Sequence, residues 1–393
     1  MGFKSIKERQ ALNIVMLEVS GWGGLCHYTY NLCQELSEAG ENIVQISNIN
    51  NELANCPNKF TLLRIIDTNY NYLKKWWLIL KYLVIHKVDI FHIQTLITAR
   101  KDFAIFLFMK ILPFRVFYTA HNVLPHDKHE RDAFGMKYAF WCIYHLSDFI
   151  ITHSEKDKEE IMSKFHVSAK KIATIPHGNY DFLRTTHKGE KESIRRKFDI
   201  GEEKRVILFF GAIRRYKGVH VLIDAFASVV GEDKAIKLLI VGHDMDSNYY
   251  DELQHLIKRH RLHDSVVLYE EYVPSDEIIY YFEAADIVAL PYKHIYDSGV
   301  LRLAFSFDKP VIATRVGIFN ELIEDGKNGF LADNNLDSLV NAIKRFQDTS
   351  LHDLRIMGQR SRLIYAQDLN WRDIANKTLR TYHCSIKTQS NRY

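Results

Sequence analysis

Tyr296-Asp297-Ser298-Gly299-Val300-Leu301 continues as Arg302-Leu303-Ala304-Phe305 and stops at Lys309-Pro310. Just upstream, Asp286-Ile287-Val288-Ala289-Leu290-Pro291 is a short apolar run closed by proline and reads as a buried strand. Pro310 has no N–H to give, so a helix begun at Ser298 must end there. Strand, tight turn and helix in that order make one unit of a parallel α/β sheet. The turn also carries chemistry. Ser298 suits the N-cap because its hydroxyl accepts from one of the first amides, and Gly299 lets a ligand come close to the main chain. The helix N–H groups from Ser298 to Leu301 then form an anion pocket.

The same alternation extends in both directions. Toward the N-terminus the candidate strands are Asn13 to Glu18, Asn42 to Ile46, Ile90 to Ile93, Arg115 to Thr119, Phe149 to Thr152 and Ile172 to Ile175. After the polar stretch Thr185-Thr186-His187-Lys188-Gly189-Glu190-Lys191-Glu192 the pattern restarts. It runs through Val206 to Phe210, Lys237 to Val241, Val266 to Tyr269, Asp286 to Leu290, Val311 to Thr314 and Gly329 to Leu331. Two α/β halves joined near residues 181–200 are expected, with ligands in the cleft between them. A length of 393 residues agrees, since one core rarely serves so long a chain.

Composition narrows the class. The chain is 47% hydrophobic and 25% charged, and its net charge of +4, without a Lys/Arg block, gives no reason to expect nucleic acid. Cys26, Cys33, Cys56, Cys142 and Cys384 lack CxxC spacing, which argues against a zinc site or a disulfide framework and suits a reducing cytoplasm. Met1-Gly2-Phe3-Lys4-Ser5 leads into charged residues rather than an apolar run, so no signal peptide is expected. The longest apolar stretch, Phe103 to Met109, is broken by Lys110 and is far short of a bilayer span.

Each half opens on a glycine turn. Ser20-Gly21-Trp22-Gly23-Gly24 precedes a helix with apolar positions Leu25, Tyr28, Leu32 and Leu36 that ends at Gly40. Its spacing is not GxGxxG, and Ser47-Asn48-Ile49-Asn50 offers no acid for a ribose, so a nicotinamide site is disfavoured. In the second half, Phe210-Gly211-Ala212-Ile213-Arg214-Arg215-Tyr216-Lys217-Gly218 places three cations after a strand. A solvated surface turn is the plain reading. The repeated order of strand, glycine and cation favours a diphosphate, bound by the planar fork of Arg and the point charge of Lys.

Together with Thr119-Ala120-His121-Asn122-Val123-Leu124-Pro125-His126, Ile175-Pro176-His177-Gly178-Asn179, Lys309-Pro310-Val311-Ile312-Ala313-Thr314 and Val316-Gly317-x-x-x-Glu321, these segments resemble the retaining GT-B glycosyltransferases of family four. The resemblance covers nearly the whole chain. It implies two Rossmann-like domains facing across a cleft: residues 1–183 binding the acceptor and residues 184–370 binding a nucleotide sugar. Trp371-Arg372-Asp373-Ile374-Ala375 resembles the helix, here residues 371–390, that crosses back onto the first domain.

By the same resemblance, Arg214 and Lys217 hold the diphosphate of a UDP- or GDP-sugar, and Ser298, Gly299, Val300 and Leu301 cap its distal phosphate. Gly23 and Gly24 join the donor site, His121 contacts the donor sugar near the reacting carbon, and Glu321 matches a donor-binding glutamate. One departure stands out. Relatives carry a Glu-x7-Glu pair where this chain has Ile295 and Leu303, so it resembles a Ser-Gly-Val subgroup, with Asp297 the nearest catalytic carboxylate. The missing pair keeps open a catalytically silent nucleotide-sugar-binding subunit. A nucleotide-sugar epimerase or phosphorylase is a further alternative, but no lysine context suggests pyridoxal phosphate. The nucleotide sugar is a substrate, and no cofactor is expected.

His121, His126 and His129 lie close in sequence, but Pro125 breaks helical spacing between them and no metal site is expected. Leu73, Trp76, Trp77, Leu80 and Val84 form an apolar helical stripe flanked by Lys74, Lys75 and Lys81. Packing on the sheet is the commoner role of such a stripe. Peripheral contact with a membrane carrying a lipid-linked acceptor is the alternative, and burial of both tryptophans would remove its main support.

Overall fold

The computed structural model describes residues 10–124, 133–186, 191–231, 235–246, 248–295, 298–368 and 370–390. The chain divides into two compact units, Met1–Gly178 with Leu369–Tyr393, and Asn179–Asp368.

The first unit is built on a seven-stranded parallel sheet. Its strands are β1 (Asn13–Leu17), β2 (Asn42–Asn48), β3 (Thr61–Ile66), β4 (Ile90–Ile93), β5 (Arg115–Thr119), β6 (Phe149–Thr152) and β7 (Ile172–Thr174), in the order β3-β2-β1-β4-β5-β6-β7. The inner strands read as continuous apolar runs because helices cover both faces of the sheet. The β3 strand was not anticipated. Its sequence, Thr-Leu-Leu-Arg-Ile-Ile, has no alternation, and as an edge strand it buries only Ile66, so neither pattern that reveals strands is present.

One face of this sheet carries the helices Tyr72–Ile85, Ala99–Met109, Ala133–Leu146 and Glu155–Phe165, whose inner residues share a core with Val15, Phe91, Val116 and Ile150. The other carries Gly23–Glu38 and the C-terminal helix Trp371–Ser390, which places Trp371, Ile374, Leu379 and Tyr382 in the core. Gly178 is small for that reason. A Cβ there would stand 2.2 Å from Trp371 Cε2.

The expected stripe on Tyr72–Ile85 is split. Trp76 is 2% exposed and packs inward with Ile79 and Leu83, whereas Trp77 is 58% exposed and Leu73 and Val84 face solvent with it. Trp76 is held by its indole N–H, which donates to Asp102 Oδ1 at 2.9 Å.

The second unit has β8 (Arg205–Phe210), β9 (Ile236–Val241), β10 (Val266–Tyr269), β11 (Ile287–Leu290), β12 (Val311–Thr314) and β13 (Gly329–Ala332). They form a parallel sheet in the order β10-β9-β8-β11-β12-β13. In both sheets the order reverses in the middle, between β1 and β4 and between β8 and β11. At such a reversal the loops leaving the two strands diverge to opposite faces and open a crevice at their carboxyl ends. No described helix is long and apolar enough to cross a membrane.

Candidate active site

In the second unit the sequence-selected residues meet at the β8/β11 crevice. β8 ends in Gly211, whose φ is +96°. A Cβ built on it would lie 3.3 Å from Val300 Cγ2 and 3.7 Å from Lys217 Nζ, so strand end, lysine and helix start converge on one point. Lys217 sits in a single tight turn, Arg215–Lys217, closed by Gly218 at φ +69°. Only glycine fits there, since a Cβ would be 2.1 Å from the Pro291 carbonyl oxygen.

Lys217 is 8% exposed, and its ammonium pairs with no carboxylate among the described residues. Its Nζ lies 5.6 Å from the Tyr292 ring centroid. Burial, with the Arg214 charge nearby, lowers its pKa to about 8. Arg215 is engaged elsewhere: its guanidinium bonds the Glu252 carboxylate and its backbone N–H donates to Asp246 Oδ2 at 2.5 Å. Lys217, beside Arg214, is therefore the buried cation of this turn. A buried charge without a counter-ion is costly, and an anionic ligand supplies the missing partner.

Ser298 caps the helix Gly299–Ser306, its hydroxyl accepting from the Leu301 N–H at 3.2 Å. At Gly299 the fit is close, since a Cβ there would come 3.2 Å from Tyr180 Oη. Gly317, at φ +49°, packs against the Ile295 backbone, where a Cβ would be 1.9 Å from the carbonyl oxygen. That contact brings the turn before Glu321 beside the segment entering the helix, and Glu321 itself is exposed on Phe319–Leu322. Leu303 is a buried apolar side chain. Asp297 lies outside the described residues, as do His126 and His129.

Tyr292 and Tyr180 were not selected from the sequence. Tyr292 is fully buried, and burial pushes its pKa up, with the nearby Ser298 side chain offsetting part of the rise. Tyr292 follows the β11 proline by one residue, and a position just past a strand end at a reversal point is the signal that would have found it.

In the first unit, His121 follows β5 and sits in a hydrogen-bonded row. Its Nε2 is 3.1 Å from Gln94 Oε1 and its Nδ1 is 3.0 Å from His153 Nε2, while His153 Nδ1 is 3.0 Å from the Ile175 carbonyl. Tyr28 packs edge-on at 4.9 Å. Two proton arrangements satisfy the row. With the Gln94 oxygen toward His121, every contact is made only when the pair carries one extra proton; with the amide reversed, both rings are neutral. Burial first, then His153, His177 and His92, push the His121 pKa well below its ordinary value, which selects the neutral arrangement. Gln94, His92 and His153 were missed because they come from β4 and from the end of β6, far apart in sequence. His177 is buried beside Tyr28 and Trp371, with Nδ1 2.8 Å from the Gly178 carbonyl oxygen.

The glycine turn after β1 is different in kind from the one after β8. The Gly23 N–H donates to Glu52 Oε1 at 2.7 Å, and Glu52 also pairs with His27 at 3.0 Å. Glu18 is fully buried and accepts from the Ser20 and Gly21 amides at 2.8 and 3.0 Å and from Ser47 Oγ at 3.1 Å. Carboxylates thus take the Ser20, Gly21 and Gly23 amides of this turn, and burial raises the Glu18 pKa. Gly24 opens the helix Gly23–Glu38 and is exposed.

The sequence was also compared with known families. The model described as Glycosyltransferase Family 4 matches residues 22–179, and the model described as Glycosyl transferases group 1 matches residues 190–364. The chain belongs to the GT-B glycosyltransferases. An uncharacterized glycosyltransferase of Methanocaldococcus jannaschii is 26% identical over 245 residues, covering 61% of this GT-B chain and 60% of that protein. Sucrose-phosphate synthase from Thermosynechococcus elongatus superposes with a TM-score of 0.75 at 18% identity, over 96% of this chain and 100% of that one. HepE of Anabaena, crystallised with UDP-glucose, gives 0.73 at 19% identity over 95% and 100%. At these identities the structural likeness shows the GT-B fold.

Proposed function

We propose that this chain transfers a sugar from a UDP- or GDP-sugar to a glycan or lipid-linked glycan acceptor, with retention of anomeric configuration, in cytoplasmic synthesis of surface polysaccharide. The observation that carries the reading is the buried, carboxylate-free Lys217 converging with the Val300 helix start on Gly211. A diphosphate fits both: it pairs the cation and accepts from the helix amides. HepE, of the same fold, holds UDP-glucose, and the five free cysteines suit a reducing compartment.

As the bond from sugar to phosphate breaks, negative charge grows on the leaving diphosphate. Arg214, Lys217 and the amides at Gly299 and Val300 then stabilise the transition state more than the bound donor. These groups take the place of a divalent ion, so the proposed reaction is metal-independent. A diphosphate oxygen accepts the acceptor's proton during same-face attack. Neutral His121, fixed through His153 and Gln94, contacts the donor sugar from the first unit, which binds the acceptor. Asp297 is the carboxylate proposed to take over the first role of the absent Glu pair, and Glu321 is proposed to bind the donor.

A silent nucleotide-sugar-binding subunit is the competing reading, favoured by the buried Leu303 in place of a ribose-binding glutamate. A donor panel separates the two. Thermal stabilisation and turnover are measured with UDP-, GDP- and ADP-sugars, with and without EDTA. Turnover of one donor, unaffected by EDTA, supports the transferase; stabilisation without turnover of any donor and acceptor mixture supports the silent subunit. No stabilisation by any nucleotide overturns both.

A further inference from the structure

The largest feature left unexplained lies on the first unit, on the outer side of Tyr72–Ile85, Ala99–Met109 and Ala133–Leu146. Among the described residues fifteen large hydrophobic side chains are exposed, and nine of them fall between positions 73 and 141, including Leu73, Trp77, Val84, Leu107, Ile111 and Trp141. Soluble surfaces carry such residues singly, so this concentration calls for a partner.

The three helices lie on the same face of the sheet and touch in series. Trp76 donates to Asp102 across the first pair, and Phe103 packs edge-on against Tyr138 at 6.2 Å across the second. Leu73, Trp77 and Val84 recur at helical spacing on one outer face; Leu107 and Phe108 are exposed at the end of Ala99–Met109, and Ile111 in the turn just after it. The exposed residues therefore form one surface.

Charge tells which partner fits it. The helices carry Lys74, Lys75, Lys81, Arg100, Lys101 and Lys137. Their single acid, Asp102, is fully buried and bonded to the Trp76 indole and the Thr98 amide. Among the described residues of the three helices no carboxylate reaches solvent. Two copies meeting through this face would set lysine against lysine, which disfavours self-association. Lys81 Nζ lies 5.1 Å from the Trp77 ring centroid and Lys74 Nζ 3.4 Å from that of Tyr70, so cations stand beside aromatic rings along the surface. Apolar side chains with aromatics and long basic side chains around them match the depth profile of a bilayer interface, where the rings and ammonium groups sit at the headgroups.

We propose that this face docks the protein onto a bilayer bearing anionic headgroups, inserting Leu73, Trp77, Leu107 and Ile111. The proposal stands apart from the sugar-transfer reading, because its test uses no donor and no turnover. It would nonetheless place the first unit where a lipid-linked acceptor is met.

The test is co-sedimentation of the full chain with vesicles of phosphatidylcholine alone or mixed with phosphatidylglycerol, at low and moderate salt. Binding is expected with phosphatidylglycerol only, and it should weaken with salt. Lys74→Glu with Lys81→Glu should weaken it by roughly fivefold or more per site, the contribution of one basic residue near an anionic surface. Trp77→Ser with Leu107→Ser should abolish it while leaving the circular dichroism melting curve in place, since both side chains are exposed. Equal binding to phosphatidylcholine alone, or undiminished binding by both variants, would overturn the proposal. So would absence of vesicle binding accompanied by a dimer that the Trp77/Leu107 variant dissolves, which would identify a second copy as the occupant.

Discussion

Replacing Lys217 by Met keeps the length and apolar stem of the side chain and removes its charge. Burial has lowered the pKa of that lysine from 10.5 to about 8. Between those two values the unfolded chain holds a proton that the folded chain has released, so stability rises with pH across that window. Below pH 8 both states are protonated, and the folded protein bears the full cost of the buried charge. A tenfold change in proton affinity is worth about 1.4 kcal/mol, so the lowering from 10.5 corresponds to about 3 kcal/mol at neutral pH. Lys217→Met should recover much of it. For a unit of this size a gain of about 3 kcal/mol would raise the unfolding temperature by roughly 6–12 °C, and imperfect packing of the thioether would trim the rise to several degrees. The same substitution should cost UDP its charge-assisted contact, about 1.5–3 kcal/mol, or roughly 10- to 150-fold in affinity. The assay is thermal unfolding with and without UDP, read on wild type and variant side by side. Opposite signs are expected: a higher midpoint without nucleotide and a smaller shift with it. A lower midpoint without nucleotide, together with an undiminished UDP shift, would refute the assignment of Lys217 as a buried cation awaiting an anion.

The same lysine sets a pH dependence: wild-type affinity for UDP should fall above pH 8, approaching about tenfold per pH unit, and isothermal titration should show that slope flattened in Lys217→Met. His121→Ala should lower kcat by roughly a hundredfold while moving the UDP dissociation constant little, since the histidine is proposed to meet the sugar and not the diphosphate; steady-state kinetics and UDP titration check the split. Gly178→Ala should destabilise by at least about 1–3 kcal/mol, because its methyl would overlap the Trp371 ring, and tryptophan fluorescence during urea unfolding should report the loosened C-terminal helix. Adding Trp371→Ala should cancel part of that loss, a non-additivity that a simple effect of glycine on the unfolded chain would not produce.

Legibility varied with how local each signal is. The inner strands β4, β5, β6 and β12 lie where their apolar runs placed them, because a strand buried on both faces leaves an unbroken run in the sequence. The edge strand β3 left none. At the β8/β11 crevice, Gly211, Lys217 and Ser298 could be picked out because each answers a local need: a positive φ, a charge near a strand end, a cap. The glycine turn after β1 also stood out in sequence, yet Glu18, just past β1, and Glu52, in a loop more than thirty residues on, bond its Gly21 and Gly23 amides. The tryptophan pair was split by Asp102, a residue on another helix that drew Trp76 inward and left Trp77 outside.

The sequence by itself determined the α/β class, the restart of the pattern in the second half and the chemistry of single turns, all of which depend on neighbours within a few residues. Tertiary structure alone decided that Lys217 is buried without a carboxylate among the described residues, that Tyr292 stands beside it, that His121 leans on His153 and Gln94, and that three helices pool their exposed apolar side chains on one surface. Burial and pairing are properties of what the chain brings from afar. Parallel strands joined by crossover helices bring together residues whose separation in sequence carries no periodic trace.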